Sequence, residues 1–211
     1  MEFDLNEEQK ALRKELITFA QNELNDDMIK RDKEGRFARD GWKKCAEFGI
    51  LGFPFPTEYG GSDGDIVTTT AMMEALGYGC KDSGLLFSIN AQMWSVMMPI
   101  WRFGTEEQKQ QYLPGLCNGD IIGAHGMSEP DSGSDAFSLR SSAEKRGDTY
   151  VLNGTKTWCS NAPIGDVFII FANTDKAGGF MGVTAFVVDA NTPGLKVSKE
   201  ISKMGLKTSP M

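Results

Sequence analysis

The sequence predicts a segregated α+β protein, in which an N-terminal all-α helical domain precedes an antiparallel β-sandwich or barrel-like domain. Two observations lead to this prediction. Apolar residues recur at helical spacing before Gly119, and after it they recur in short β-branched or alternating runs, roughly ten residues apart. Helices and strands that occupy separate parts of a chain indicate a segregated fold rather than an alternating one. We expect the domains at residues 1–120 and 121–211.

The helical domain is expected to contain five or six helices, several with clear start signals. Asn6 can cap the first helix, and Gln9, three residues later, can reach back to it. Thr105 and Gln108 repeat this pattern before the last helix, which is expected to end near Leu113-Pro114. The other predicted helices are 39–48, 65–79 with Asp65 as its cap, and an apolar, buried helix that begins at Asp82 or Ser83 and runs to Met97.

The second domain is expected to be built from short strands separated by Gly, Asp, Asn and Pro turns. Gly147-Asp148 and Asn153-Gly154 are typical of tight hairpin turns. The even spacing of the runs is what favours an antiparallel sandwich or barrel. The predicted strands are 121–124, 138–145, 150–153, 155–159, 167–173, 183–189 and 195–199.

Composition excludes several classes of function. With 211 residues and 40% apolar residues, the chain is long enough to bury a real core. Its formal net charge of −7 and the absence of a basic block argue against a nucleic-acid partner. No apolar run approaches the ~18 residues of a membrane span, and the acidic start Met1-Glu2-Phe3-Asp4 is not a signal peptide. We therefore expect neither a nucleic-acid nor a membrane partner.

Cysteine and histidine content bounds the chemistry further. The four cysteines are widely and evenly spaced, unlike those of zinc sites or disulfide-rich secreted domains. Reduced thiols in a cytoplasmic protein are the simplest interpretation. His125 is the only histidine, so a histidine-based metal site is not expected, and a Ser/His/acid triad would have to rest on this residue.

The most informative stretch is 123–135, where small, hydroxylated and acidic residues follow the apolar pair Ile121-Ile122. Such a stretch offers backbone N–H groups and hydroxyls in tight turns, where anions and polar cofactor edges bind. On composition alone, a surface loop with Asx and Ser turns is the favoured interpretation. A second distinctive segment, Trp158-Cys159-Ser160-Asn161, follows further along the chain.

The detail of these strings resembles the acyl-CoA dehydrogenase family. Residues 126–135, Gly-Met-Ser-Glu-Pro-Asp-Ser-Gly-Ser-Asp, are similar to the flavin-binding signature of that family, in which Thr/Ser-Glu-Pro precedes Gly-Ser-Asp. The resemblance covers essentially the whole chain, which aligns with the N-terminal and middle portions of such an enzyme. Further matching segments are Phe-Gly-Thr-Glu-Glu-Gln-Lys at 103–109, Tyr-Leu-Pro at 112–114, Asn-Gly-Thr-Lys at 153–156 and Lys-Met-Gly-Leu at 203–206.

The resemblance implies FAD as cofactor and assigns residues to it. The Ser128 hydroxyl and the N–H groups of Met127 and Ser128 are expected at the pyrimidine edge of the flavin. Trp158 is expected to pack on the ring in a strand, and Ser160, after Cys159, is expected near flavin N5. Without the resemblance, Ser128 would be a turn-capping hydroxyl and Trp158 a core residue.

The resemblance also implies roles on the substrate side. Ser134 is expected near the pantetheine or phosphate of the acyl carrier, with Gly133 allowing close backbone approach. His125 is assigned only to the cofactor-proximal loop, because the family does not use this position as a base. Met93 and Met97 are expected to line the acyl pocket, although a role as core gap-fillers explains them equally well.

The implied reaction is α,β-dehydrogenation of an acyl-CoA thioester by hydride transfer to flavin N5, with an electron-transfer flavoprotein or oxygen as acceptor. In the family the catalytic glutamate comes from a C-terminal helical bundle, so no catalytic residue is expected in this chain. The β-domain is expected to be truncated at its C-terminal end and the bundle missing. The whole enzyme is expected to be a homotetramer of fatty acid metabolism.

Two alternatives stay open. One is a dehydrogenase or oxidase that acts on an acyl or aminoacyl group held as a thioester by a carrier protein. The other is a truncated, non-catalytic module that lacks the base. The surface around Ser134 distinguishes a nucleotide-bearing substrate from a protein-bound one, and flavin binding distinguishes both from the non-catalytic module.

Overall fold

The chain forms a helical region followed by a sheet, as its sequence predicts. The structure is a computed structural model that describes residues 4–211. Residues 1–3, which belong to the acidic start of the chain, lie outside the described part. None of the helices in residues 4–211 has the length and apolar character needed to cross a membrane.

The helices begin where their capping residues predict. Asn6 and Thr105 each accept a hydrogen bond from the backbone N–H of a glutamine three residues later, and both capping boxes are complete. The side chains of Asp65 and Asp82 also cap helices, as predicted. The helices of the described chain are α1 (Glu7–Glu23), α2 (Met28–Glu34), α3 (Arg39–Glu47), α4 (Ile66–Gly79), α5 (Ser83–Gln92), α6 (Met98–Phe103) and α7 (Glu106–Cys117).

Three helical features differ from the prediction. The short helix α2 was missed because its N-cap, Asp27, has a left-handed backbone and makes no capping bond from its side chain. Helix α7 continues past Pro114 to Cys117, since Leu116 and Cys117 are buried in the core. The long apolar helix is interrupted by a π-turn at Met93–Met97, a feature that hydrophobic periodicity does not reveal.

The sheet is mixed rather than purely antiparallel. Its strands are β1 (Gly123–Gly126), β2 (Ser142–Arg146), β3 (Thr149–Asn153), β4 (Val167–Asn173) and β5 (Val183–Asp189). Strand β4 is central: it pairs antiparallel with β5 along its whole length and parallel with β1. Strands β2 and β3 form an antiparallel hairpin, which joins β4 through a single parallel pair, Ser142 with Asn173. The parallel pairing of β1 is a long-range contact that turn signals between neighbouring strands cannot predict.

Two of the predicted strands are wrong. Residues 155–159 form a loop, in which Thr157 bonds to the loop after β1 and Trp158 has a left-handed backbone that ends any extended run. Residues 195–199 are also irregular and mostly exposed, and they pair with no strand of the described chain. The Gly147-Asp148 hairpin turn is confirmed, whereas the turn at Asn153-Gly154 leads into the loop.

The helical region and the sheet share one hydrophobic core, and buried polar bonds fix their relative positions. Ile122, Val167 and Ile169 belong to the same core cluster as the buried residues of the helices. The Gln92 side chain joins both regions: it accepts a hydrogen bond from Gly123 N–H at 2.7 Å and donates to the Leu116 carbonyl at 2.9 Å. Strand β1, and the loop that follows it, are thereby held against α5 and α7.

Candidate functional site

Two loops meet at the end of β1, and they carry the two motifs singled out in the sequence. The N–H of Thr157 donates to the carbonyl of Ser128 at 2.9 Å, and Lys156 Nζ donates to the carbonyl of Met127 at 3.1 Å. Glycine is needed at position 126, because a Cβ there would lie 2.8 Å from Cδ1 of Ile170 and 3.3 Å from Cγ of Lys156. The motifs are therefore neighbours in space, as expected.

A buried ion pair joins the same two loops. Lys156 Nζ lies 2.6 Å from Glu129 Oε1, and the two side chains are only 8% and 5% exposed. The carboxylate also accepts hydrogen bonds from the N–H groups of Arg140, at 2.6 Å, and Ser141, at 3.0 Å. Burial raises the pKa of Glu129, but the bonds from Lys156 and the amides outweigh it and lower the pKa to about 2. Glu129 is therefore an anion at neutral pH.

The surface beside this pair presents an aromatic face and a free amide. Trp158 has φ of 57°, a conformation that is unusual for a bulky residue, and its side chain is 61% exposed. The N–H of Ser128 donates to no backbone carbonyl in residues 4–211. Ser128 and Ser160 are half-buried. A flat aromatic surface next to unused donors suits a planar heterocycle with acceptor atoms on its edge.

His125 and Cys159 lie behind this surface. The imidazole packs edge-on against Phe171, with ring centroids 5.5 Å apart. Burial and the nearby Lys156 ammonium lower the pKa of His125, so the imidazole is neutral at pH 7. Burial raises the pKa of the Cys159 thiol, although Lys156 opposes this, and its Sγ lies 3.7 Å from the Thr157 carbonyl oxygen. The thiol is therefore protonated at neutral pH, and neither side chain carries a charge there.

The outer part of the first loop carries the predicted substrate-side residues. Gly133 and Ser134 are both exposed, and a Cβ on Gly133 would meet no atom within 4 Å. The loop is closed below them by mutual backbone bonds between Glu129 and Ser132, and by a bond from Ser132 Oγ to the Asp135 carbonyl at 2.8 Å. Ser134 is therefore accessible to a large ligand, and its assignment to the acyl carrier stays a prediction.

The predicted acyl-pocket methionines lie in the π-turn between α5 and α6. Met93 and Met97 are fully buried in the core, so an acyl group could reach them only if other side chains moved. Trp94, Ser95 and Met98 of the same segment are partly exposed. Their placement fits core packing, and the pocket role of Met93 and Met97 stays a prediction.

Two residues that hold the site were not assigned a role from the sequence. In the sequence, Lys156 is only one residue of the Asn-Gly-Thr-Lys segment, although a buried glutamate such as Glu129 needs a cationic partner. Asn161 has φ of 66°, and its amide donates to the carbonyls of Ser88 and Gly123, each at 3.1 Å. Asparagine is the commonest non-glycine residue in this conformation, which is the only signal that could have found it.

Comparison with known sequences identifies the family. The acyl-CoA dehydrogenase N-terminal domain matches residues 6–120, and the acyl-CoA dehydrogenase middle domain matches residues 124–211. The chain belongs to the acyl-CoA dehydrogenase family. This membership confirms the resemblance inferred from the motifs, and the helical-then-sheet order is that of the family's first two domains.

Individual members of the acyl-CoA dehydrogenase family are similar along nearly the whole chain. The crystal structure of the prolyl acyl carrier protein oxidase AnaB is 51% identical, with a TM-score of 0.96, and the match covers 98% of this chain and 55% of AnaB. The structure of PigA with FAD and proline is 38% identical, with a TM-score of 0.95, and covers 100% of this chain and 55% of PigA. An L-prolyl-[peptidyl-carrier protein] dehydrogenase from a Serratia species is 39% identical over 210 residues, covering 100% of this chain and 54% of the relative. The chain thus spans about half the length of these relatives.

Proposed function

We propose that the whole protein is an FAD-dependent oxidoreductase that dehydrogenates a thioester-bound acyl group, and that this group is a prolyl residue on a carrier protein. The observation that carries the proposal is the 51% identity to the prolyl acyl carrier protein oxidase AnaB over 98% of the chain. Family membership alone supports an acyl-CoA substrate as the alternative.

The residues at the junction of the two loops suit FAD. The Ser128 amide and hydroxyl can donate to the acceptor atoms of the flavin pyrimidine edge, and the exposed Trp158 indole can pack on its ring. Ser160 lies two residues beyond Trp158, on the same loop. We assign cofactor binding to these residues, with Met127, His125 and Cys159 supporting the loops and Gly133 and Ser134 at the substrate side.

Bound FAD supplies an acceptor for the hydride that leaves the substrate β-carbon. The chain's own groups bind and orient. Donors at Ser128 would stabilise negative charge at the pyrimidine edge of the flavin, and the Trp158 face would keep water from that side. A base must take the α-proton. His125 faces Phe171 with a lowered pKa, and Glu129 is held in an ion pair, so we assign the base to the C-terminal bundle of the family.

The test compares substrates on the purified whole protein. A prolyl-loaded carrier protein, prolyl-CoA and butyryl-CoA are added anaerobically, while bleaching of the flavin absorbance and loss of two hydrogen atoms from the acyl group are followed. Rapid bleaching by the prolyl carrier protein alone supports the proposal. Bleaching by butyryl-CoA alone supports the acyl-CoA alternative. A protein that carries no flavin contradicts both, and supports a non-catalytic module.

A double variant ties the result to the described site. Ser128→Ala with Trp158→Ala removes a donor and the aromatic face, so we expect loss of bound FAD. The matched control is Ser198→Ala with Tyr78→Ala, which removes an exposed hydroxyl and an exposed aromatic ring elsewhere. Equal FAD content in the two double variants would contradict the assignment.

We further propose that the whole protein is a cytoplasmic homo-oligomer, with a tetramer as the expected state. The four cysteines of this chain are free thiols, three of them buried, which suits a reducing compartment. The electron acceptor is either oxygen or an electron-transfer flavoprotein. Formation of hydrogen peroxide when the reduced enzyme is exposed to air would identify oxygen as the acceptor. Light scattering of the purified protein gives the number of subunits.

A further inference from the structure

The orientation of one peptide group in the site is set by a lysine. Lys156 Nζ donates to the Met127 carbonyl at 3.1 Å, so that oxygen points toward the second loop. The carbonyl and the next N–H of a planar trans peptide point in opposite directions. The N–H of Ser128 must therefore point away from Lys156. Within the described chain it donates to no backbone carbonyl, and it is available to a ligand.

The lysine is itself held in place by a fixed partner. Glu129 Oε1 lies 2.6 Å from Lys156 Nζ, and the carboxylate is tied to the N–H groups of Arg140 and Ser141, just before β2. A buried ammonium cannot move away from a buried carboxylate without a large desolvation cost. The direction of the Ser128 amide is thus fixed through Lys156 by a chain of short contacts that ends at the sheet.

We infer that Lys156, held by Glu129, is a positioning residue that aims the Ser128 amide at the flavin. The inference rests on the proposed function for the identity of the ligand. Lys156 does not touch the flavin in this scheme. Its ammonium selects one orientation of the Met127–Ser128 peptide before the cofactor arrives, so binding does not have to pay for ordering that group.

An ion pair with only a structural role would stabilise the fold without changing the affinity for FAD. The chain contains a second buried ion pair that serves as a control for this role. Arg31 Nη2 lies 3.2 Å from Asp82 Oδ2, with side chains 10% and 1% exposed. This pair joins α2 to the start of α5. Breaking either buried pair should destabilise the protein, but only the loss of Lys156 should weaken flavin binding.

The experiment measures the dissociation constant of FAD for the whole protein by quenching of flavin fluorescence, alongside the melting temperature of the FAD-free form. We expect Lys156→Met to weaken FAD binding by about tenfold or more, the value of one well-oriented hydrogen bond. Lys156→Arg keeps a cationic donor and should recover most of the affinity. Arg31→Met should lower the melting temperature and leave the dissociation constant within about twofold of wild type.

The outcomes separate this inference from the proposed function. Unchanged FAD affinity in a folded Lys156→Met protein overturns the inference alone, and so does an equal loss of affinity in Arg31→Met. A wild-type protein that binds no FAD overturns both. If Lys156→Met does not fold, Glu129→Gln is measured in its place: it keeps an acceptor for Lys156 but removes the charge that holds it, and it should weaken FAD binding.

Discussion

The N–H of Thr157 donates to the carbonyl of Ser128, whereas the Thr157 hydroxyl, from the same residue, is buried without a partner in residues 4–211. The backbone of Thr157 therefore holds the two loops together, while its buried hydroxyl lowers the stability of the fold. Burial of a hydroxyl without a hydrogen bond costs about 1–3 kcal/mol.

Thr157→Val replaces the unpaired hydroxyl with a methyl group of similar size. In the FAD-free protein we expect the free energy of unfolding to rise by about 1 kcal/mol, measured by urea denaturation. Thr69→Val is the control, since the Thr69 hydroxyl is buried but donates to the Asp65 carbonyl at 2.8 Å. That variant should lose about 1 kcal/mol. A loss of stability in both variants would contradict the assignment of Thr157.

Glu129 should make the free energy of unfolding depend on pH in the acidic range. Its pKa falls from 4.5 to about 2 on folding, so the unfolded chain takes up a proton more readily than the folded one. The stabilisation is fully present above pH 4.5 and is lost as the pH falls toward 2. A shift of this size corresponds to about 3 kcal/mol. Urea denaturation at several pH values between about 5 and 2 should show this loss in the free energy of unfolding.

Glu129→Gln should remove that part of the acid dependence and should already be less stable at neutral pH, because Lys156 loses its counter-charge. Glu15→Gln, at an exposed position of α1, is the control and should follow the wild-type curve. If Glu129→Gln and wild type lose stability in parallel below pH 4.5, the pairing with Lys156 does not govern the acid response.

Much of the fold follows from local sequence, while the site depends on long-range contacts. Capping at Asn6 and Thr105 is predictable because the donor and acceptor lie three residues apart. The parallel pairing of β1 with β4 joins residues far apart in sequence, and no local pattern encodes it. The segment around Trp158 has the composition of a strand. Its left-handed backbone accompanies its contact with the loop that follows β1, and no local pattern in the sequence indicates that contact.

The same distinction applies to the residues of the site. Ser128 and Trp158 could be singled out by their resemblance to a known motif. The position of Lys156 between the Met127 carbonyl and Glu129 could not, because ion pairing across two loops depends on how those loops pack. Motif similarity therefore predicts which residues contact FAD, whereas the contacts of Lys156 with both loops are visible only in the folded structure.

His125 reports on the charge of Lys156. Burial and the Lys156 ammonium both lower the pKa of the imidazole, so Lys156→Met should raise it. Titration of the imidazole protons by NMR measures this directly, and His125→Asn identifies the signal. Arg31→Met leaves the charge next to His125 unchanged and should leave the titration where it is in wild type. An unshifted titration in Lys156→Met would mean that burial alone sets the pKa.

Asn161 connects three segments through one left-handed residue. Its side-chain amide donates to the carbonyls of Ser88 in α5 and Gly123 in β1, and its N–H donates to the Pro210 carbonyl at 2.8 Å. Asn161→Ala keeps the backbone bond, loses both side-chain bonds and puts alanine, which tolerates positive φ less well than asparagine, at φ of 66°. We expect a loss of about 3 kcal/mol, about 2 from the hydrogen bonds and about 1 from the backbone.

Asn161→Gly separates these two contributions. Glycine loses the same side-chain bonds but adopts φ of 66° without strain, so it should be about 1 kcal/mol more stable than Asn161→Ala in urea denaturation. This order is the reverse of what is usual at exposed helical positions, where alanine is the more stable of the two. Alanine equal to or better than glycine would show that the backbone at Asn161 relaxes to negative φ. The loop that carries Trp158 would then be free to take a second conformation.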